Sequence, residues 1–264
     1  MSGAPDLLVR RDGGVMWLTI NRSARHNPIS RGVLAGLQAA IELATSEPEL
    51  RCVLLRGAGE DYFAAGGDLH EFRSVRNPAQ TQAMVIEARR VLDSVRECPV
   101  PVIALVNGDA MGGGAELAVA CDMRLMAAHA RIGYMHGQLY LSTGWGGGTD
   151  LFDLVGRSRA LRMLARAEMV TAADALTWGL ADAVAAPGEN LDEFAARFVQ
   201  PILRQSPRLL RTFKAQALAA RHGQNREARR ELEMQGFISA WTHDDHWTAV
   251  ERILSRDKPG REND

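Results

Sequence analysis

A glycine-rich turn with an acid just behind it is the part of this sequence whose residue types and spacing best suit chemistry. Gly112, Gly113 and Gly114 follow the apolar run 102–106, and Glu116 lies three residues after Gly113. An apolar segment comes next, so a strand, a glycine turn and a helix succeed one another. The first N–H groups of a helix have no partner inside it and attract negative charge. The turn could therefore hold an anion beside an acid; alternatively, it is a tightly packed turn in which Glu116 forms a salt bridge.

The elements that must position this turn are predicted as repeated strand, loop and helix units. Before the turn, the pattern predicts a hairpin around Asp12-Gly13-Gly14, a helix capped by Ser30, a strand from Cys52 and a helix from about Asn77. After the turn, further elements are predicted over 122–127, 131–134, 151–166, 172–178 and 183–185. From about residue 190 to 255 the pattern is helical in three segments, and the charged end is expected to fray. Repeated units of this kind indicate an α/β core.

The composition limits the classes of function. The chain has 264 residues, 31 basic and 32 acidic side chains, a net charge of −1 and an apolar fraction of 46%. This balance gives no overall field that would recruit nucleic acid or an anionic membrane, and no run of about 18 apolar residues occurs. The three cysteines lack zinc-ligand spacing and fit a reducing compartment. We therefore expect a cytoplasmic protein with no processed leader, no metal site and no bound nucleotide cofactor.

Several short motifs follow one another along the chain. They are Asn21-Arg22 with Asn27 to Ser30, Phe63 to Leu69, Asn107-Gly108 with Met111 to Glu116, Cys121-Asp122 with Arg124, Thr171 to Val184, Asp244 to His246, and Lys258-Pro259. In order and spacing they resemble the motifs of the crotonase superfamily, also called the enoyl-CoA hydratase/isomerase family. Each motif alone is weak, but together they cover most of the chain.

This resemblance implies the fold class: α/β, a crotonase-like spiral of ββα turns with a C-terminal helical oligomerisation region. It divides the chain into a spiral core with the acyl-CoA site, 1–189, and a helical region, 190–264, that builds a homotrimer or a hexamer. The implied substrates are acyl-CoA thioesters. Coenzyme A therefore enters as part of the substrate, and no separate cofactor is expected.

The resemblance also implies how the thioester is held. In the family two backbone N–H groups bind the thioester oxygen as it gains charge, and by motif position they belong here to Ala65 and Gly113. Losing one such donor costs roughly 3–4 kcal/mol in mutant series. The positions implied for holding the coenzyme A portion are Arg25, Ala64, Gly66, Asp68, Leu69 and Lys214. Taken alone, Lys214 is more simply a solvated helix lysine.

One catalytic position departs from the hydratase pattern. Hydratases of the family carry two glutamates; Glu116 matches the first, and counting back from Gly144 places His136 at the second. Thr143 stands where the family usually has proline. An imidazole can act as an acid or a base near neutral pH, so Glu116 and His136 could together add water to a conjugated double bond. The structural alternative for His136 is a hydrogen-bonded loop histidine.

Decarboxylation is the interpretation that we favour over hydration. The stretch from the glycine turn to Gly147 resembles the alkylmalonyl-CoA decarboxylase-like branch of the superfamily. Loss of CO₂ from a malonyl-type (methyl- or ethylmalonyl) CoA thioester forms the enolate directly, so the site needs only a proton donor. A second carboxylate would repel the substrate's carboxylate, whereas a charged histidine would attract it. A CoA-binding oligomer without catalysis is a third alternative.

The sequence does not assign a role to the residues near His136. Tyr134, Gln138 and Tyr140 could be polar pocket groups or residues at the edge of the core. Trp145 is predicted to contribute packing rather than a pocket wall. The run from His243 to His246 could suggest a metal site, but the polarity of a helical tail explains it better.

Overall fold

Ten strands form two sheets in the computed structural model, which describes residues 4–256. The strands of the six-stranded sheet are, in spatial order, β1 (Leu7–Asp12), β2 (Val15–Ile20), β3 (Cys52–Gly57), β5 (Val102–Val106), β7 (Met123–Met126) and β10 (Ala183–Val184). Those of the four-stranded sheet are β4 (Tyr62–Ala64), β6 (Asp109–Met111), β8 (Arg131–Gly133) and β9 (Met169–Thr171). The β1–β2 pair is antiparallel, as predicted for a hairpin, and so is β8–β9; every other pair of neighbours is parallel.

The described part of the chain also contains ten α-helices. They are α1 (Arg31–Ser46), α2 (Leu69–Phe72), α3 (Pro78–Arg96), α4 (Gly113–Ala120), α5 (Gly147–Arg166), α6 (Ala172–Trp178), α7 (Leu191–Leu203), α8 (Pro207–Arg221), α9 (Arg226–Trp241) and α10 (Asp244–Arg256). Polar side chains begin several of them as the sequence predicts. Ser30 accepts a hydrogen bond from the first turn of α1, Asn77 from that of α3 and Thr171 from that of α6.

Successive turns of the chain pass from the large sheet to the small sheet and then to a helix. β3 leads to β4 and, through α2, to α3; β5 leads to β6 and α4; and β7 leads to β8 and α5. This repeat confirms the predicted α/β spiral of ββα turns. β5 is buried along its whole length because it lies between two parallel neighbours in the middle of the sheet.

Most strands of the four-stranded sheet were not predicted from the sequence. Only β8 was expected, as a strand over 131–134, whereas β4, β6 and β9 fall in stretches predicted as loop or turn. Each has three residues, which is too short to show the alternation that identifies a strand. One of these strands, β6, lies between β5 and the glycine turn. Two strands therefore precede the turn and α4, where the sequence predicted only one.

Asn107 joins two neighbouring turns of the spiral. Its Oδ1 accepts from the N–H of Gly57 at 2.8 Å, and its Nδ2 donates to the carbonyls of Gly59 and Tyr62 at 2.9 and 3.2 Å. Asn107 is buried, so an unpaired amide here would be costly. Gly108 completes the contact, because a Cβ atom at this position would lie 2.2 Å from the backbone of Asp61.

The C-terminal part of the chain is helical, as predicted, but in four helices, α7 to α10, rather than three. By contacts between Cα atoms the chain divides into a first unit, Met1–Leu210, and a second unit, Arg211–Asp264. The predicted boundary at 189/190 separates a substrate site from an oligomerisation region, and it stays a prediction. The predicted motif Lys258-Pro259 lies outside the described residues. Among the helices described, none is long and apolar enough to cross a membrane.

Candidate active site

A cavity of about 620 Å³ in the first unit is lined by three stretches of chain, over 65–85, 111–116 and 135–145. Its wall is mainly apolar. Among the described residues that line it, Glu116 and His136 are the only ionisable ones. The structure therefore brings the acid of the glycine turn and the histidine predicted as its partner into one enclosed space.

The glycine turn delivers the first amide of α4 to this cavity. Gly112 has φ +53°, a left-handed conformation that favours glycine. Gly113 begins α4, and its N–H has no hydrogen-bond acceptor within residues 4–256. A Cβ atom at Gly113 would lie 2.5 Å from the Trp145 ring, and one at Gly114 would lie 2.1 Å from the carbonyl oxygen of Ala64. Only glycines let this helix approach so closely.

In the loop opposite the glycine turn, the structure contradicts the prediction of Ala65 as an anion donor. The N–H of Ala65 donates to the carbonyl of His26 at 3.1 Å, so it is not available to a ligand. Two residues further on, Gly67 lines the cavity, and its N–H has no acceptor in the part of the chain that the structure describes. A Cβ atom at Gly66 would lie 3.6 Å from the nitrogen of Gly113, so this loop and the start of α4 are in contact. Gly67, rather than Ala65, is the loop residue with a free amide.

Both carboxylate oxygens of Glu116 are occupied by hydrogen bonds. Oε2 accepts from the N–H groups of Trp145 and Gly147, each at 2.9 Å. Oε1 accepts from the N–H of Gly144 at 3.4 Å and lies 3.1 Å from Nε2 of His136. The side chain is only 1% exposed. Glu116 therefore holds the loop that precedes α5, and it orients His136 as a carboxylate orients a catalytic imidazole.

His136 lies on a 3-10 turn, Met135–Leu139, that projects into the cavity wall. While its Nε2 faces Glu116, its Nδ1 is buried and has no hydrogen-bond partner among residues 4–256. A buried nitrogen without a partner is unusual in a purely structural histidine. His136 is thus hydrogen-bonded through Nε2, as the structural alternative of a loop histidine predicts, while the hydrogen-bonding capacity of its Nδ1 is unused among residues 4–256.

Tyr134 and Trp145 support the site from opposite sides. The Tyr134 side chain is fully buried, and its hydroxyl donates to the carbonyl of Gly147 at 2.8 Å. Burial, followed by the nearby negative charge of Glu116, raises the pKa of Tyr134 well above its usual value, so the phenol stays protonated. Tyr134 is thus a core residue that holds the loop. Trp145 packs on Gly113, but it also lines the cavity, so the prediction of packing alone is wrong.

Other wall residues carry no chemical signal in the sequence. Apolar side chains from α3 and from the loop after His136 form much of the surface: Met84, Val85, Leu139 and Leu141. Helical or loop spacing alone could not assign them to a pocket rather than to the core. Gln138 also lines the cavity, whereas the side chain of Tyr140 is 98% exposed and points elsewhere.

Asp68 holds the loop that follows β4. One carboxylate oxygen accepts from Arg22 at 2.7 Å, and the other caps α2 by accepting from the N–H groups of His70 and Glu71. Burial alone would raise the pKa of Asp68, but these hydrogen bonds and the Arg22 charge outweigh it, so the pKa lies below its usual value. Its contact with coenzyme A stays a prediction.

The other predicted coenzyme A positions are dispersed. Gly66 and Leu69 line the cavity, and Leu69 is 60% exposed. Ala64 is fully buried in β4, and Arg25 is exposed at the end of a 3-10 turn, Ser23–Arg25. Lys214 lies on α8 in the second unit and is only 4% exposed, so the alternative of a solvated helix lysine is wrong. Within residues 4–256, no group of three or more His, Cys, Asp or Glu is arranged to hold a metal ion.

Comparison with known proteins places this geometry in a family. The family described as enoyl-CoA hydratase/isomerase matches residues 10–261. The ethylmalonyl-CoA decarboxylase of Xenopus laevis is 31% identical over 236 residues, which are 89% of this chain and 78% of the relative. The short-chain-enoyl-CoA hydratase of Clostridium acetobutylicum is 32% identical over 202 residues, 76% of this chain and 77% of the relative.

Solved structures agree with this placement. The crystal structure of enoyl-CoA hydratase from Bacillus anthracis superposes with a TM-score of 0.88 at 29% identity, covering 97% of this chain and 98% of the other. The similarity therefore extends through both the spiral and the helical region. The chain belongs to the enoyl-CoA hydratase/isomerase, or crotonase, family of acyl-CoA-processing enzymes.

Proposed function

We propose that the protein is an acyl-CoA lyase that decarboxylates a malonyl-type (methyl- or ethylmalonyl) CoA thioester. The observation that carries this proposal is the state of Glu116. Its two oxygens accept from three backbone amides and face His136, so no oxygen is left to activate a water molecule. His136 is the one remaining ionisable group in the wall, and a protonated imidazole attracts and protonates but does not repel an acidic substrate.

The reaction follows from these groups with atoms and charges in balance. The bond between Cα and the carboxylate of the substrate breaks, CO₂ leaves, and the bonding electrons form the thioester enolate. The negative charge gathers on the thioester oxygen, where the N–H groups of Gly113 and Gly67 stabilise it. Protonated His136 then donates a proton to Cα, which gives the saturated acyl-CoA, and the imidazole regains its proton from solvent. Each turnover consumes one proton.

The apolar wall supports a substrate with an alkyl branch. Met84, Val85 and Leu141 line the cavity and offer no charge to a second polar substituent. Ethylmalonyl-CoA decarboxylases are also among the relatives at about one third identity. Both observations favour an alkylmalonyl thioester over unbranched malonyl-CoA.

A panel of acyl-CoA thioesters with mass-spectrometric detection tests the proposal. We expect methylmalonyl-CoA or ethylmalonyl-CoA to lose CO₂ and short 2-enoyl-CoA substrates to remain unchanged. His136→Ala should abolish the CO₂ loss, while His129→Ala serves as a matched control, because His129 bonds the Glu60 carbonyl outside the cavity. Absence of CO₂ release from every malonyl-type thioester would refute decarboxylation.

Hydration of a 2-enoyl-CoA is the second candidate. A relative named short-chain-enoyl-CoA hydratase, 32% identical over 76% of this chain, favours it. The variant His136→Glu separates the two reactions, because it restores the two-glutamate pattern. A decarboxylase should lose activity, whereas a hydratase should keep or gain it, measured as loss of the absorbance of the conjugated thioester.

The remaining expectations are part of the same proposal. We expect a homotrimer or hexamer, in which Arg25 contacts coenzyme A and Lys214 of a neighbouring subunit reaches a coenzyme A phosphate. Arg25→Ala and Lys214→Ala should then raise KM without changing kcat. Equilibrium sedimentation of the unaltered protein tests the assembly, and a monomer would exclude this part of the proposal.

A further inference from the structure

A buried arginine behind the catalytic loop joins three parts of the first unit. Arg96, on the last turn of α3, donates from Nε and Nη2 to one carboxylate oxygen of Asp150, at 3.0 and 2.7 Å. The same Nη2 donates to the carbonyl of Trp145 at 3.2 Å, and Nη1 reaches Asp93 at 2.8 Å. Arg96 and Asp150 are 5% and 8% exposed, and Asp150 stands in the first turn of α5.

The catalytic loop, residues 144–147, is therefore held from two sides. On the cavity side, Glu116 accepts from the amides of Gly144, Trp145 and Gly147. On the far side, Arg96 binds the Trp145 carbonyl, as Tyr134 binds that of Gly147. The loop contributes nothing ionisable itself, yet it sets the direction of the Glu116 carboxylate and thereby of His136.

The Arg96 guanidinium packs closely against the loop. A Cβ atom at Gly146, which has φ +94°, would lie 2.9 Å from Nη2 of Arg96. A guanidinium presents several donors in a fixed planar arrangement, so its two partners, Asp150 and Trp145, are fixed relative to each other. A lysine ammonium could balance the Asp150 charge, but it would not impose the same geometry on the loop.

We propose that the Arg96–Asp150 pair is a positioning device for the active site: it fixes the catalytic loop so that Glu116 presents His136 to the substrate. This inference rests on the proposed function only in taking the cavity as the reaction site. Neither residue touches the cavity, so both act through the loop. The pair should therefore affect kcat more than KM.

The test replaces the pair by apolar side chains, Arg96→Met with Asp150→Leu. Apolar replacement of a buried ion pair is often neutral for stability, but here it removes the donor to the Trp145 carbonyl. The matched control is Arg124→Met with Asp182→Leu. Arg124 is 2% exposed and bonds Asp182 and the Leu180 carbonyl, and none of its hydrogen bonds within residues 4–256 reaches the loop. Hydrogen exchange of the loop amides, followed by mass spectrometry, is compared with kcat and KM.

We expect exchange in the loop to accelerate by roughly tenfold or more, as for loss of one charge-assisted hydrogen bond, and kcat to fall by at least a similar factor while KM changes little. The control pair should show neither effect. Unchanged exchange in the loop would overturn the proposal, as would equal effects in the control. Should the double variant not fold, Arg96→Lys is judged by the same two measurements.

Hydrogen exchange needs no substrate, and this separates the inference from the proposed function. The unaltered protein could release no CO₂ while exchange of the loop amides still accelerates in the Arg96 and Asp150 variant and not in the control. In that case the positioning role stands and only the assigned reaction is wrong.

Discussion

Glu116→Gln tests whether Glu116 orients His136 or reacts itself. The carbonyl oxygen of glutamine can keep the two 2.9 Å bonds from Trp145 and Gly147. Its NH₂ group then occupies the place of Oε1, where it faces the N–H of Gly144 and Nε2 of His136. An NH₂ group donates, so it favours a neutral imidazole whose proton is on Nδ1, the opposite tautomer to the one that a carboxylate favours. The variant also removes the negative charge that stabilises the imidazolium, the form of His136 that donates the proton in the proposed reaction.

The expected magnitudes follow from this exchange of donors. The fold loses one long bond to Gly144, and two bonds to a charged acceptor become bonds to a neutral one, which together cost about 2 kcal/mol. Catalysis loses the oriented imidazole, which costs on the order of 10²–10⁴-fold in kcat. The free energy of unfolding should thus fall by about 2 kcal/mol, while kcat falls by orders of magnitude.

Three measurements check this prediction: urea unfolding, steady-state kinetics with the active thioester, and the ¹⁵N shifts of the His136 ring. Glu87→Gln is the control, because Glu87 is a half-buried residue of α3 that pairs with Arg31 and does not line the cavity. Retention of kcat within about twofold would refute the orienting role. A large fall in kcat with an unchanged His136 tautomer would mean that Glu116 contacts the substrate directly.

Three further predictions concern single residues. Gly113→Ala places a Cβ atom 2.5 Å from the Trp145 ring, so it should destabilise the fold by about 1–3 kcal/mol and lower kcat/KM, as urea unfolding and kinetics would show. Asp68→Asn breaks the pair with Arg22 and should cost about 3 kcal/mol. Because the folded pKa of Asp68 is depressed below 3.8, this difference should stay constant from about pH 8 to pH 5 and vanish only as the pH falls through the folded pKa; a difference that shrinks above pH 5 would contradict it. Burial raises the pKa of Cys52 to about 12, so iodoacetamide at about pH 8 should label it only after unfolding; rapid labelling of the native protein would contradict this.

The repeating fold and the central pair of residues could be predicted from the sequence. Apolar strands, capped helices and ordered motifs are local signals, and they survive folding because tertiary contacts reinforce them. Glu116 and His136 are 20 residues apart, and their pairing was predicted because they match the two glutamate positions of the family that the motifs resemble. The structure places them 3.1 Å apart.

Properties that depend on backbone direction could not be predicted. Whether Ala65 or Gly67 offers a free N–H depends on Gly66, whose φ of +103° turns the chain between them. Motif position alone suggested Ala65, whose amide is in fact bonded to His26.

Ion pairs between residues far apart in the sequence could not be predicted either. Arg96 and Asp150 are 54 residues apart, and no periodicity distinguishes either from a solvated surface charge. The pair of Arg22 and Asp68 spans 46 residues and is equally absent from any local pattern. The sequence shows which side chains are present, but their partners follow only from the packing of the spiral.

The placement of His136 has a consequence for how new activities could arise. Glu116 and the backbone amides that bind it anchor the site. His136, in contrast, lies on a separate short turn that is not part of either sheet. A substitution at position 136 would therefore replace the group that we propose as the proton donor and leave the anchor and the free amides of Gly67 and Gly113 in place. One codon change could convert enolate chemistry from one reaction to another without first destabilising the fold, which makes this turn an accessible point for evolutionary divergence.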